Sequence, residues 1–208
     1  MYDSTHTIHE FLNAAAAKQP APGGGSITAL VGALAASMGE MVLNYSVGKK
    51  SLMAHEPELR ASLAEFTRLR AMMLQLMAED QAAYEAITAL RKLPADSAGR
   101  KEKYDATLLA CIRVPEAMAA AGVAALEWCG RLTDKANVYL LSDLAVCAEL
   151  CMATVRCGIY NVRINLTDVP VTADRESIQR TIDAILSHAT ELVRSIIPNI
   201  WTRIENPG

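Results

Sequence analysis

The sequence predicts an all-α protein, a single multihelical domain over residues 1–208 with about six helices packed as a bundle. Three observations lead there. Half of the 208 residues are hydrophobic, yet only two Phe, two Trp and six Tyr are aromatic, so the core is built from Ala, Leu, Val, Ile and Met and favours close-packed helices over a β-sandwich. Apolar residues recur at helical spacing over long stretches, and no persuasive alternating strand interrupts them. The segment 26–47 is rich in Ala, Gly and Ser at four-residue intervals, which lets a second helix approach unusually closely. A chain of this length buries a real core as one domain.

The elements follow in order. Thr7 and Glu10 have capping-box spacing and open a short helix carrying Ile8, Phe11 and Leu12, which ends before Pro20. Pro22 then fixes φ, while Gly23, Gly24 and Gly25 leave the main chain bare. Ser26 is placed to cap a long helix in which Ala29, Ala33 and Ser37 recur at i+4, as do Gly32 and Ala36. Gly48 suits the residue after its end, and Lys49 and Lys50 favour the negative end of its dipole. Pro57 starts a third helix running to about Leu93, with Leu59, Phe66, Met73, Asp80 and Ile87 at one heptad position and Leu69, Leu76, Ala83 and Leu90 at the other. Pro94 and the polar residues after it form a loop. A fourth helix starts between Ser97 and Lys103, is bent or broken at Val114-Pro115, and resumes from Glu116 to about Arg131. After a connection over Thr133–Asn137, Ser142 caps a fifth helix to about Tyr160. Thr167–Pro170 is a turn, and a last helix runs from Ala173 or Asp174 to about Ile204, disturbed at Pro198.

Several function classes fall away. A net charge of −3 lacks the electrostatic footprint of a nucleic-acid binder. The best membrane-span candidate, 26–47, is interrupted by Glu40 and Asn44, so no membrane partner is expected. The glycine turn is no Walker loop, because no Gly-Lys-Ser/Thr follows, and no strand precedes it as a dinucleotide fingerprint requires. Five cysteines lie in apolar helical segments. Cys147 and Cys151 share a helix face, but zinc would need two more ligands, so the cysteines read as buried reduced thiols of a cytoplasmic protein.

What remains is a set of polar residues in unusual places. Asp80 occupies a heptad position otherwise apolar. A carboxylate there is costly unless paired, and burial raises its pKa into the range a general base needs. The structural alternative is an ion pair, or an early end to the buried stripe. Three glycines at a helix start present bare amides to an anionic or carbonyl-rich ligand, or simply turn the chain tightly between two helices. Asp143, behind Ser142, is either a ligand contact or a first-turn dipole partner. Asn161 and Asn165 stand four apart near a helix exit, where a single Asn would need no special account. On one straight helix Asp143 and Asn161 lie about 27 Å apart, so they serve opposite ends of a long ligand, or two sites.

These stretches together resemble the formiminotransferase-cyclodeaminase C-terminal family, which includes stand-alone methenyltetrahydrofolate cyclohydrolases. The matching segments are Pro22–Ser26, Val47–Lys50, Glu79–Tyr84, Leu93-Pro94, Val114-Pro115, Ser142-Asp143 and Asn161–Leu166, in the family's order. The resemblance implies a homodimer and a tetrahydrofolate substrate, with Asp80 as proton acceptor and no cofactor beyond the folate. It implies conversion of 5-formiminotetrahydrofolate to 5,10-methenyltetrahydrofolate and ammonia, or hydrolysis of the methenyl compound; a folate-binding module without catalysis is the further alternative. Gly23, Gly24, Gly25, Ser26, Asp143, Asn161 and Asn165 are the expected substrate contacts, with Lys49 and Lys50 on a glutamate or polyglutamate tail. Ser51-Leu52 departs from the family's usual pattern after the lysine pair.

Overall fold

A computed structural model describes residues 6–206, and among them there are helices and no strands. Six α-helices follow one another: α1 (Ile8–Ala16), α2 (Gly24–Asn44), α3 (Glu56–Arg91), α4 (Ala98–Leu132), α5 (Leu141–Leu166) and α6 (Thr172–Glu205). Short 3-10 segments, Lys50–His55 and Val138–Leu140, lead into α3 and α5.

The register between α2 and α3 explains why this sequence folds as it does. The two helices run antiparallel, and the glycines of α2 at seven-residue spacing face the heptad residues of α3. A Cβ on Gly32 would stand 2.7 Å from Met73 Sδ, and one on Gly39 would stand 2.6 Å from the Phe66 ring. Large side chains of one helix therefore seat on bare backbone of the other, which removes apolar surface from water at a short interhelical distance. The same device joins α4 to α5. A Cβ on Gly122 would meet Val155 at 2.8 Å, and one on Gly158 would meet the Pro115 carbonyl at 2.8 Å.

All eight apolar heptad residues of α3 are buried. The capping box of α1 forms, with the Glu10 amide donating to Thr7 Oγ1 at 3.2 Å and the Thr7 amide to Glu10 Oε2 at 2.8 Å. Of the three apolar residues Ile8, Phe11 and Leu12 that it carries, Phe11 is buried and Ile8 and Leu12 are exposed. Gly48 adopts φ +76, the left-handed conformation expected after a helix end.

Other expectations are corrected. Ser26 does not cap α2: the N-cap is Gly23, which offers no side chain, and Ser26 lies inside the first turn. Val114-Pro115 does not break α4, and Pro198 does not break α6; both helices run through. Ser142 does not cap α5, which begins at Leu141 after the 3-10 turn and continues to Leu166. Asn161 and Asn165 thus sit within the helix. Three helical stretches, Gly24–Asn44, Ala98–Leu132 and Val138–Leu166, are long and apolar enough to cross a membrane by length and composition, against the expectation that none would be. In this fold they are the mutually packed inner helices, with about half of each apolar window buried.

The five cysteines are free. Cys129 joins Cys147 and Cys151 in the core, the three sulfurs lying within 4.8 Å of one another. Hydrogen bonding to Cys147 and Cys151, with burial, pushes the Cys129 thiol well above its ordinary value. Tetrahedral zinc needs a fourth ligand, which this cluster does not contain.

Candidate active site

A cleft of about 580 Å³ opens where the first turn of α2, the second half of α3 and the end of α5 meet. Its floor is one face of α3: Asp80, Tyr84, Ile87 and Arg91 recur at i, i+4, i+7 and i+11. One wall is Pro20, Ala21 and the Gly23–Ser26 turn; the other is Asn161, Ile164 and Asn165 with Thr167 and Asp168 beyond the end of α5.

Asp80 lies against Gly25. A Cβ on Gly25 would fall 2.1 Å from Asp80 Oδ1, so glycine is required for the carboxyl group to occupy its place. Burial pushes the Asp80 carboxyl up to about 6, and no cation opposes the shift. The ion-pair alternative for Asp80 is therefore absent among the described residues. A carboxyl group poised near neutrality in a cleft is equipped to take up and return a proton.

The first turn of α2 adds donors. Ile27 is the first amide bonded to the Gly23 carbonyl, at 3.0 Å, which leaves the amides of Gly24, Gly25 and Ser26 as first-turn donors with no capping side chain. Ser26 Oγ is fully buried, lines the cleft and has no hydrogen-bond partner among the described residues. Such an orphan is costly unless something binds there.

The asparagines contribute acceptors. Asn161 Nδ2 donates to the Cys157 carbonyl at 2.9 Å and to Thr28 Oγ1 at 3.2 Å, while its Oδ1 approaches Gly24. Asn165 Nδ2 donates to the carbonyls of Asn161 at 2.9 Å and Cys111 at 3.1 Å. Carbonyl partners accept only, so both amides turn their NH2 groups to protein and keep their oxygens available. The Cys111 bond has a specific cause. Pro115 has no N–H, so the carbonyl four residues before it, that of Cys111, loses its helical donor. Asn165 replaces that donor, and α4 is continuous through its proline.

Seven of the ten residues singled out by sequence, Gly23, Gly24, Gly25, Ser26, Asp80, Asn161 and Asn165, meet in this cleft. Lys49, Lys50 and Asp143 do not. Lys49 and Lys50 follow the far end of α2, about 30 Å along its axis from Gly25. There Lys49 Nζ donates to Asn137 Oδ1 at 2.7 Å and lies 5.1 Å from the centre of the Tyr139 ring, pinning the end of α2 to the connection before α5. Asp143 is in the first turn of α5, the opposite end from Asn161. Gln81, Tyr84, Arg91 and Asp168 line the cleft without having been singled out. Tyr84 and Arg91 were recoverable from Asp80 by helical spacing; Asp168 depends on how α5 ends beside α3.

Residues 7–184 match the profile of the family described as Formiminotransferase-cyclodeaminase. The chain is 27% identical over 202 residues to the methenyltetrahydrofolate cyclohydrolase of Methylorubrum extorquens, covering 95% of this chain and 97% of that protein. It is 26% identical over 203 residues to the formimidoyltransferase-cyclodeaminase of Rattus norvegicus, covering 96% of this chain but 38% of that longer protein. The formiminotetrahydrofolate cyclodeaminase of Thermotoga maritima shares the fold, with a TM-score of 0.88 at 24% identity over 96% of this chain and 98% of that one.

Proposed function

This chain belongs to the formiminotransferase-cyclodeaminase family, and from that premise we propose that its cleft is the active site of a folate one-carbon enzyme. The reaction is closure of 5-formiminotetrahydrofolate to 5,10-methenyltetrahydrofolate with release of ammonia. The observation that carries this reading is Asp80, a carboxyl group raised to about 6 by burial and set against bare backbone at Gly25.

The chemistry follows from that placement. N10 attacks the carbon of the protonated formimino group, forming the N10–C bond as the C=N π pair moves onto the terminal nitrogen, and the Asp80 carboxylate takes the N10 proton. The resulting carboxylic acid then returns a proton to the departing nitrogen, the C–N bond breaks and ammonia leaves with the electron pair. One group of intermediate pKa serves both steps, and holding N10 beside the carbon removes much of the entropic barrier. The pterin ring carries both donors and a carbonyl. The Asn161 and Asn165 oxygens suit the former, and the Gly24, Gly25 and Ser26 donors suit the latter. Neither step requires a metal or a second cofactor.

A second reading has its own observation: one relative of matching length, 27% identical, is a cyclohydrolase. There Asp80 draws the proton from water as it attacks the methenyl carbon. A folate-binding module without chemistry is disfavoured, because it gains nothing from a desolvated carboxylate. We also place the protein in the cytoplasm, where its free cysteines stay reduced.

The test is a side-by-side assay of the formimino and methenyl substrates with wild type and Asp80→Asn. The formimino substrate is expected to turn over faster, and Asp80→Asn to lose roughly 10²–10⁴ in turnover, the usual worth of general acid–base catalysis. Faster hydrolysis of the methenyl compound would assign the second reading. Undiminished turnover by Asp80→Asn would remove Asp80 from the chemistry.

A further inference from the structure

Among the described residues Arg91 is the only cation that lines the cleft, and it stands at the opposite end of the floor from Asp80. The eleven residue steps from Asp80 to Arg91 make about three turns of α3, about 16.5 Å along one face. Helical side chains lean toward the N-terminus, so the Arg91 guanidinium reaches back by roughly 6 Å and leaves about 10–12 Å to the Asp80 carboxyl. In a folate, a para-substituted benzoyl group and one amide separate N10 from the glutamate α-carboxylate by about 9 Å. One hydrogen-bond length closes the remaining gap.

Resting on the folate reading above, we propose that Arg91 is the carboxylate anchor of the cleft and binds the glutamyl tail of the substrate. Its guanidinium is already oriented. Nη2 donates to Asp168 Oδ2 at 2.6 Å, and the planar fork has further N–H groups for a second carboxylate. The path out of the cleft continues the same chemistry. The Tyr104 hydroxyl is 3.4 Å from Asp168 Oδ2, and the Arg100 guanidinium lies 5.0 Å from the centre of the Tyr104 ring. Residues 91–103 carry Arg91, Lys92, Arg100, Lys101 and Lys103 against Asp96 and Glu102, a basic rim for any further glutamates. Lys49 and Lys50, at the far end of α2, do not share this cleft.

The experiment compares two ligands that differ only in the tail, 5,10-methenyltetrahydrofolate and the corresponding pteroate, which lacks glutamate. Calorimetric Kd values are measured for wild type, Arg91→Gln and, as a charge-matched control, Lys50→Ala. Wild type is expected to hold the glutamyl ligand on the order of tenfold or more tighter than the pteroate, the worth of one charge-assisted hydrogen bond. Arg91→Gln reduces that preference to within about twofold, raises KM for the glutamyl substrate similarly and changes kcat little. Lys50→Ala keeps the wild-type preference. Equal losses for both ligands in Arg91→Gln, or none for either, would overturn the anchor. Failure of wild type to bind either ligand would instead overturn the folate reading.

Discussion

An ionised carboxylate at position 80 costs this fold stability that a neutral side chain would not. The folded-state value of about 6 lies above the ordinary 3.8, so the native state holds the proton more tightly than the unfolded chain does. Stability from this group is present below about pH 4 and is lost as pH rises through 6. After allowance for partial exposure, the penalty at pH 8 is on the order of 1–2 kcal/mol. Asp80→Asn should therefore melt at or above wild type at pH 8, by about 2–4 °C for each kcal/mol, with the gap closing toward pH 4. A lower melting temperature for the Asn variant at pH 8 would mean that the carboxylate has a stabilising partner. Stability gained where turnover is lost is the signature of a residue kept for chemistry.

At the scale of elements, α4 and α5 share one device. Pro115 withdraws a donor from the Cys111 carbonyl, and Asn165 supplies it across the interface at 3.1 Å. Asn165→Leu leaves that carbonyl without a partner and should destabilise by roughly 1–3 kcal/mol. In a Pro115→Ala background the new N–H at 115 bonds the carbonyl itself, and the same change should cost less by at least about 0.5 kcal/mol. Denaturant unfolding of the four proteins measures this coupling. Additive losses would show that Asn165 and Pro115 are not coupled through the Cys111 carbonyl. The wall of the cleft is set by this bond, since it also fixes which way the Asn165 oxygen points.

For the whole molecule, apolar side chains remain exposed on several helices, Leu34, Leu109, Val146, Tyr160, Ile164 and Trp201 among them. This surplus favours a homodimer, which we propose as the working state. Sedimentation at micromolar concentration should give twice the mass of the chain, and a stable monomer would contradict it. The cleft is open beside Ile164, 70% exposed, so a second copy seated there would also exclude water from the chemistry.

The sequence by itself determined the all-helical class, the stripe of α3 with Asp80 as its one break, the glycine turn, and the asparagine pair. Each is local: periodicity, spacing and a polar residue out of pattern depend on a few turns of chain. The sequence does not determine what depends on competition between elements. A proline reads as a helix break, and α4 continues through it with Asn165 of another helix bonding the carbonyl that the proline leaves free. A serine after three glycines reads as a cap, but the turn starts three residues earlier and buries it. Two lysines at a helix end read as ligand contacts, and the antiparallel pairing of α2 with α3 carries them about 30 Å from Asp80. That pairing, set by Phe66 and Met73 seating on Gly39 and Gly32, is what brings Asp80 to Gly25 and makes a cleft there. Which residues converge is decided by packing across long sequence separations, and no window of the chain contains it.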